Sequence, residues 1–228
     1  MQLSHLVAQP LGRRPRRPER AAAACLAHRE HELDCGGGAD RDLHDCGEHP
    51  AEHSYARSMQ RTPQEQPVAF VEIPKGSRNK YEFDERLGRV ILDRTLYSSV
   101  VYPCDYGFLI DTLGLDGDPV DALVLVAQPT FPGCYIPCDP VGVLHMRDEA
   151  GDDAKVLCVP HNDPTWSRVK EHTDIRQELL DEIKHFFEIY KDLEEGKHVE
   201  VGEWESRDEA LAIVSAGRAA WEAARTTS

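Results

Sequence analysis

The sequence has no long apolar run and little positive charge, and both deficits exclude classes of protein. No window approaches the run of about 18 apolar residues that a membrane-spanning helix needs. The 228 residues carry 26 Lys and Arg against 41 Asp and Glu, a formal net charge of −15, of which residues 67–228 hold −14. This balance argues against sequence-independent nucleic-acid binding, which needs a positive surface.

Several familiar signatures are missing as well. There is no Gly-x4-Gly-Lys-Ser/Thr or Gly-x-Gly-x-x-Gly segment, so a nucleotide-phosphate loop is not indicated. The apolar stretch after the amino-terminal Arg cluster is too short for a secretory signal. The seven cysteines are odd in number and scattered, which favours a reducing, cytoplasmic location over a disulfide framework. We expect Cys104, Cys134, Cys138 and Cys158 to be buried, inert thiols.

Residues 1–66 lack sustained periodicity and are rich in Arg, His, Ala, Pro and Gly, so we expect a disordered extension before a domain at 67–228. Three alternatives stay open. Translation could start at Met59. The segment could be an organelle transit peptide, although acids from Glu30 onward count against it. It could also be a metal-sensing or partner-binding arm, although no regular zinc-finger spacing occurs. Its candidate metal ligands are Cys25, His28, His31, Cys35, His44, Cys46, His49 and His53.

From Pro67 onward, short apolar or alternating runs separated by Pro- and Gly-containing turns predict strands. The predicted strands are Val68–Ile73, Lys80–Phe83, Arg89–Asp93, Asp121–Val126, Val141–Arg147 and Lys155–Val159. Many short strands are typical of a small barrel. Helical spacing predicts two late helices, one capped by Asp174 with Gln177 and ending near Tyr190, the other capped by Ser206 with Glu209. The fold class predicted is α+β, mainly β, a barrel with two flanking C-terminal helices.

The segment Asp116-Gly117-Asp118-Pro119-Val120-Asp121 places three carboxylates in one turn. Two like charges about 5 Å apart repel by about 3 kcal/mol at an effective dielectric near 20, so the turn must be protonated or neutralised by a cation. Gly and Pro favour a tight turn that aims its side chains at one point, and hard carboxylate oxygens suit Mg²⁺ or Mn²⁺. An acidic surface turn is the alternative.

A second acidic turn contains Asp148, Glu149, Asp152 and Asp153. By itself it is typical of a solvated hairpin tip, but two acidic turns at the mouth of a small barrel can form a polynuclear metal site. Further polar candidates on strands and at a helix end are Glu72, Lys80, Glu82, Arg94, Tyr102, Tyr106, Tyr190 and Lys191. Carboxylates that gather metals, beside Lys, Arg and Tyr that bind oxyanions, are what phosphoanhydride hydrolysis requires.

These motifs resemble family I soluble inorganic pyrophosphatase of the compact bacterial type. The resemblance covers Val68 to Arg225, about 70% of the chain. It rests on Val71-Glu72-Ile73-Pro74, Lys80-Tyr81-Glu82, Tyr102-Pro103-Cys104-Asp105-Tyr106-Gly107, the Asp116–Asp121 turn, Asp148 through Lys155, and His185-Phe186-Phe187 through Tyr190-Lys191-Asp192-Leu193-Glu194.

The resemblance implies a five-stranded OB-like barrel that hydrolyses pyrophosphate to two orthophosphates with several Mg²⁺ ions, Mn²⁺ or Zn²⁺ being possible substitutes. It implies that Asp118 is the general base. The implied metal ligands are Asp116, Asp121, Asp148 and Asp153, with Glu72, Glu82 and Glu149 at outer positions. The implied phosphate-binding and charge-stabilising residues are Lys80, Arg94, Lys155, Tyr190 and Lys191, with Tyr102 and Tyr106 lining the pocket.

The resemblance also implies a cytoplasmic homohexamer. It offers no template for the N-terminal extension. The competing hypothesis from another functional class is a non-catalytic OB module that binds oligonucleotides, which the clustered acids and negative charge disfavour.

Overall fold

A computed structural model describes residues 66–148 and 151–226. The predicted disordered extension, except for its last residue Gln66, lies outside the described residues, as do the features on which its alternatives rest and the candidate ligand Glu149. No helix in the described part of the chain is both long and apolar enough to cross a membrane.

The described residues form eight strands and two α-helices. The strands are β1 (Val68–Ile73), β2 (Asn79–Asp84), β3 (Arg89–Thr95), β4 (Asp105–Leu109), β5 (Asp121–Val124), β6 (Tyr135–Asp148), β7 (Gly151–Pro160) and β8 (Val199–Glu205). The helices are α1 (Gln177–Ile189) and α2 (Arg207–Thr226), and a 3₁₀ turn (His172–Asp174) precedes α1.

Five of the strands form a closed ring in the order β1-β4-β5-β7-β6, which the pairing of β1 with β6 completes. All neighbours are antiparallel except β5 and β7, which are parallel. Strand β8 continues the sheet beside β6, and β2 with β3 forms a separate hairpin. The predicted five-stranded barrel with two flanking helices is therefore confirmed.

Both faces of the barrel strands are buried, which explains their nearly continuous apolar runs. Leu123, Leu144 and Leu157 point to one core, which α1 completes through residues such as Phe187. Their neighbours Ala122, Val143 and Val156 point to a second core, which α2 completes through Ala210 and Val214. Consecutive strand residues therefore alternate between the two cores.

The predicted start of the first helix is wrong. Asp174 ends the 3₁₀ turn, where its carboxylate accepts the N–H groups of Lys170 and Glu171 at 2.9 and 3.1 Å, and α1 begins only at Gln177. Asp174 does cap backbone donors, but those of the preceding turn. The cap of α2 is as predicted, with the Glu209 N–H 3.3 Å from Ser206 Oγ.

The cysteine prediction holds at three of four positions. Cys104, Cys138 and Cys158 are buried free thiols, and Cys134 is also free but partly exposed. Cys134 lies just before β6, where its N–H donates to Phe131 and its carbonyl accepts from Val71.

Candidate active site

A cleft of about 1860 Å³ collects most of the predicted site residues along its walls. It is lined by Glu72, Lys80, Glu82, Arg94, Tyr106, Asp116, Asp118, Asp121, Asp148, Asp153, Lys155, Tyr190 and Lys191. These residues come from both acidic turns, the β2–β3 hairpin and the end of α1. The fold thus brings together groups that are separated by up to about half of the chain.

The parallel pairing of β5 and β7 builds the centre of the cleft. Its register places Asp121, the last residue of the first acidic turn, opposite Lys155. Lys155 Nζ lies 2.6 Å from Asp121 Oδ2 and 2.9 and 2.8 Å from the two carboxylate oxygens of Asp153. One ammonium group therefore joins the two acidic turns, which would otherwise repel each other.

Burial and charge act in opposite directions on Lys155. Its side chain is only 3% exposed, and this burial by itself would lower its pKa. Asp121 and Asp153 outweigh the burial and raise the pKa of Lys155, so the group stays an ammonium ion at neutral pH. Burial raises the pKa of Asp153, and Lys155 opposes that rise.

Tyr106 lies on β4, the antiparallel neighbour of β5, and fixes the orientation of Asp121. Its hydroxyl donates to Asp121 Oδ2 at 2.6 Å, and its ring lies 5.4 Å from Lys155 Nζ. Burial and the nearby carboxylates raise the pKa of Tyr106, so the phenol is a neutral hydrogen-bond donor at physiological pH.

The first acidic turn has the tight geometry expected of it. Gly117 has φ of 90°, in the left-handed region that favours glycine, although a Cβ there would meet no atom within 4 Å. The Asp118 N–H donates to Asp116 Oδ1 at 3.1 Å, and the Asp118 carbonyl accepts from Gly114 N–H at 2.7 Å. The backbone of Asp118 is therefore held on both sides while its side chain lines the cleft.

Glu72 on β1 connects the barrel to the β2–β3 hairpin. Its Oε1 accepts the N–H of Phe83 at 2.6 Å. Burial raises the pKa of Glu72 to about 7, an effect that this hydrogen bond only partly offsets. On the same hairpin, Lys80 pairs with Glu82 and lies 3.4 Å from Asp93.

Arg94 is held by an acid that the sequence did not single out. Glu194 accepts from Arg94 Nη2 through both carboxylate oxygens, at 2.8 and 2.9 Å, and from Nε at 3.1 Å. Asp93 also pairs with Arg94. Burial acts to lower the pKa of Arg94, but Glu194 and Asp93 outweigh it and raise the pKa.

The carboxylate of Glu194 is only 10% exposed, whereas an acid beyond a helix end usually faces solvent. Its only sequence signal was its position at the end of the Tyr190-to-Glu194 motif.

The end of α1 contributes Tyr190 and Lys191. The Tyr190 ring is buried and stacks on Phe186 with the ring centroids 5.3 Å apart. Lys191 Nζ lies 3.0 Å from Asp148 Oδ2, and both side chains are mostly buried. This ion pair ties the helix end to the second acidic turn.

Tyr102 lies elsewhere than expected. The resemblance implies that it lines the pocket, but its side chain is 2% exposed and packs against Phe186 with 4.7 Å between ring centroids. Its ring centroid is 5.6 Å from that of Tyr106, so Tyr102 supports the wall of the cleft from behind.

The donor set of the cleft fits hard divalent cations. Asp116, Asp121, Asp148 and Asp153 offer only oxygen ligands, the type that Mg²⁺ prefers. Lys155 supplies a single positive charge to the two carboxylates that it bridges, so the cluster keeps an excess of negative charge. Glu72 and Glu82 could extend the donor set on the hairpin side.

Comparisons with known proteins give one consistent result. The family model described as inorganic pyrophosphatase matches residues 69–222. The inorganic pyrophosphatase of Methanosarcina acetivorans is 57% identical over 142 residues, which are 62% of this chain and 84% of that protein. That of Leifsonia xyli is 56% identical over 153 residues, 67% and 94% of the two chains. The crystal structure of the Thermus thermophilus inorganic pyrophosphatase superposes with a TM-score of 0.69 at 43% identity, covering 72% of this chain and 94% of that one.

Proposed function

The chain belongs to the inorganic pyrophosphatase family, and from that premise we propose that it hydrolyses pyrophosphate to two orthophosphates with Mg²⁺ as cofactor and Asp118 as general base. The observation that carries the proposal is the bridge from Lys155 to Asp121 and Asp153. It joins two acidic turns in one cleft that also contains Arg94 and Lys191.

The charges in the cleft suit a small, highly charged anion. Lys80, Arg94 and Lys191 line the same cleft and can donate to phosphoryl oxygens, and Arg94 can do so through a planar fork. In the described structure each of these cations pairs with a carboxylate, through Glu82, Glu194 and Asp148 respectively. Substrate oxygens would exchange with or share these partners.

The proposed metal ligands are Asp116, Asp121, Asp148 and Asp153, with Glu72 and Glu82 at outer positions. When bound, Mg²⁺ would neutralise substrate charge and make a water molecule more acidic. Mn²⁺ or Zn²⁺ would be possible substitutes, since both also accept carboxylate ligands.

Asp118 is proposed to accept the proton of the attacking water. It sits between Asp116 and Asp121 in the turn, its backbone is held on both sides, and its half-buried side chain lines the cleft. A base needs this fixed position, within hydrogen-bond reach of the water that it deprotonates. Arg94, Lys191 and the hydroxyl of Tyr190 are proposed to stabilise the charge on the departing phosphate.

The test is orthophosphate release from pyrophosphate across a series of Mg²⁺, Mn²⁺ and Zn²⁺ concentrations, with Asp118→Asn alongside wild type. We expect Mg²⁺-stimulated release, and a fall in kcat by a factor on the order of 10²–10⁴ in the variant with an unchanged melting temperature. The matched control is Asp181→Asn, because Asp181 is an exposed acid on α1 whose carboxylate accepts a hydrogen bond from the Gln177 side chain, one turn away on the same helix. Wild type without metal-stimulated release would refute the activity, and an active Asp118→Asn would refute only the role of Asp118.

We further propose a cytoplasmic homo-oligomer, a hexamer by resemblance, whose catalytic part is residues 67–228. Exposed apolar side chains such as Leu92 and Tyr97 on and after β3 support association between copies. Light scattering should give six times the mass of the 25.6 kDa chain, and a monomer mass would rule the hexamer out.

A further inference from the structure

We propose that His145, Glu205 and Glu209 form a binding site for a borderline-soft divalent metal ion, of which Zn²⁺ is the test case. Each residue offers one ligand atom, and these atoms all lie within 4.8 Å of one another. His145 and Glu209 line the cleft, but none of the three residues contributes to the acidic turns. The proposal does not depend on pyrophosphate hydrolysis.

Three packed elements position the donors. Strand β6 pairs with β8 so that Val143 is opposite Glu205, which places His145 two residues further along on the same face as Val143. Helix α2 covers that face, since Val143 packs in one core with Ala210 and Val214. Glu209, in the first turn of α2, thereby reaches the same point.

The charges around the cluster favour the binding of a cation. His145 Nε2 is 3.7 Å from Glu205 Oε2, beyond a normal hydrogen bond. Within residues 66–148 and 151–226, no Lys or Arg lies within ion-pair distance of Glu205 or Glu209. Two carboxylates and an imidazole therefore face one another without a fixed positive charge, and a divalent ion would relieve their repulsion.

The donor types select the class of metal. Mg²⁺ prefers all-oxygen ligands, whereas an imidazole nitrogen with two carboxylates suits Zn²⁺, Co²⁺ or Ni²⁺. Three protein ligands would leave a coordination position for water. Zinc–ligand distances of about 2.0–2.2 Å require the three ligand atoms to move somewhat closer together, and the two glutamates are exposed, so their side chains have room to rotate toward an ion.

Other histidines show that a carboxylate neighbour alone does not make such a cluster. His161 with Asp139, His185 with Glu188 and His198 with Glu200 are within ion-pair distance. Among the described histidines, however, only His145 has two carboxylates whose oxygens lie within 4.8 Å of its ring nitrogen and of each other. The exposed pair of His198 with Glu200 is thus a matched control with one carboxylate instead of two.

The competing explanation is that the Glu209 carboxylate serves only the start of α2, as an acid in the first turn of a helix whose Glu209 N–H is capped by Ser206 Oγ. In that case Glu209 would not be a metal ligand, and His145 would have no influence on metal binding. The two explanations differ in what removal of the imidazole does.

The experiment measures Zn²⁺ bound to the full chain by equilibrium dialysis with saturating Mg²⁺, which occupies oxygen-only sites. It compares wild type, His145→Ala and the control His198→Ala. We expect His145→Ala to bind one fewer Zn²⁺ per chain, or the same ion at least about tenfold more weakly, and His198→Ala to match wild type. The His- and Cys-rich N-terminal residues contribute equally in all three proteins. Equal binding by wild type and His145→Ala would overturn the site.

A second readout keeps the test decisive if His145→Ala folds poorly. The imidazole ¹⁵N signals should show His145 shifting when Zn²⁺ is added to wild type, and Glu205→Gln with Glu209→Gln should abolish that shift while keeping the imidazole. A shift that survives in the double variant would mean that the glutamates are not ligands and would also overturn the proposal.

Discussion

Lys155 and Asp121 lie opposite each other on two parallel neighbouring strands, with 2.6 Å between Nζ and Oδ2. The ammonium group is almost fully buried and also bonds to both oxygens of Asp153. Lys155 therefore stabilises the pairing of β5 with β7 and also holds the carboxylates of Asp121 and Asp153 at the centre of the cleft.

Lys155→Met should destabilise the metal-free protein by about 3–5 kcal/mol, because it leaves two partly buried carboxylates without their counter-charge. Urea unfolding with a chelator present measures this. Lys184→Met is the control, since Lys184 pairs with the 85% exposed Glu203 and should contribute less than about 1 kcal/mol. Similar small losses in both variants would show that the bridge has little structural importance.

Tyr106→Phe should weaken Mg²⁺ binding by about 10- to 100-fold while preserving the ring packing around Phe187. The change removes the hydroxyl that orients Asp121 at 2.6 Å. Calorimetric Mg²⁺ titration measures it, with Tyr97→Phe as the control because that ring is 68% exposed. Unchanged affinity in Tyr106→Phe would contradict the orienting role.

Glu72→Gln should change how stability depends on pH in the metal-free protein. The folded-state pKa of Glu72, about 7, is above its ordinary value of 4.5, so the folded chain retains a proton that the unfolded chain releases. Wild type therefore loses stability from this group as pH rises from 4.5 to 7, and Glu72→Gln does not.

The unfolding free energy of Glu72→Gln relative to wild type should rise across that interval, by on the order of 3 kcal/mol in total. Gln can still accept the Phe83 N–H, which makes it the appropriate replacement. Denaturation at a series of pH values measures the difference, and a difference independent of pH would show that the carboxyl titrates normally.

Glu194→Gln should lower kcat/KM for pyrophosphate by about tenfold, mainly through a higher KM. The reason is that the Arg94 guanidinium would lose the charged partner that fixes its orientation. Glu195→Gln, at the exposed neighbouring position, should behave like wild type. Higher activity in Glu194→Gln would instead mean that Glu194 competes with substrate for Arg94.

The sequence predicted six of the eight strands in the described part of the chain, because the apolar residues of those six are consecutive or alternating. It missed β4, where Gly107 resembles a turn residue. In the fold this glycine is required by close packing, since a Cβ there would lie 1.9 Å from the carbonyl oxygen of Phe70 on β1. It also missed β8, in which acids and Gly202 interrupt the apolar pattern and only one edge is paired.

The candidate site was predictable where its chemistry is local. Three acids in one turn repel one another, so the sequence alone indicates that they bind a cation or hold protons. Most of the predicted residues do line one cleft. Two relationships depend on distant parts of the chain and had no local signal. They are the pairing of Arg94 with Glu194, 100 residues away, and the burial of Tyr102 behind Tyr106.

The position of Lys155 in the cleft depends on the register of the parallel strands β5 and β7. Slipping β7 by one residue would put Ala154 or Val156 opposite Asp121 and turn the ammonium of Lys155 to the other side of the sheet. Every chemical group would still be present in the chain, yet the two acidic turns would lose the charge that joins them. Strand register is therefore as important to the cleft as any side chain in it, and β7 is held in register on both sides, with Lys155 opposite Asp121 of β5 and opposite Leu144 of β6.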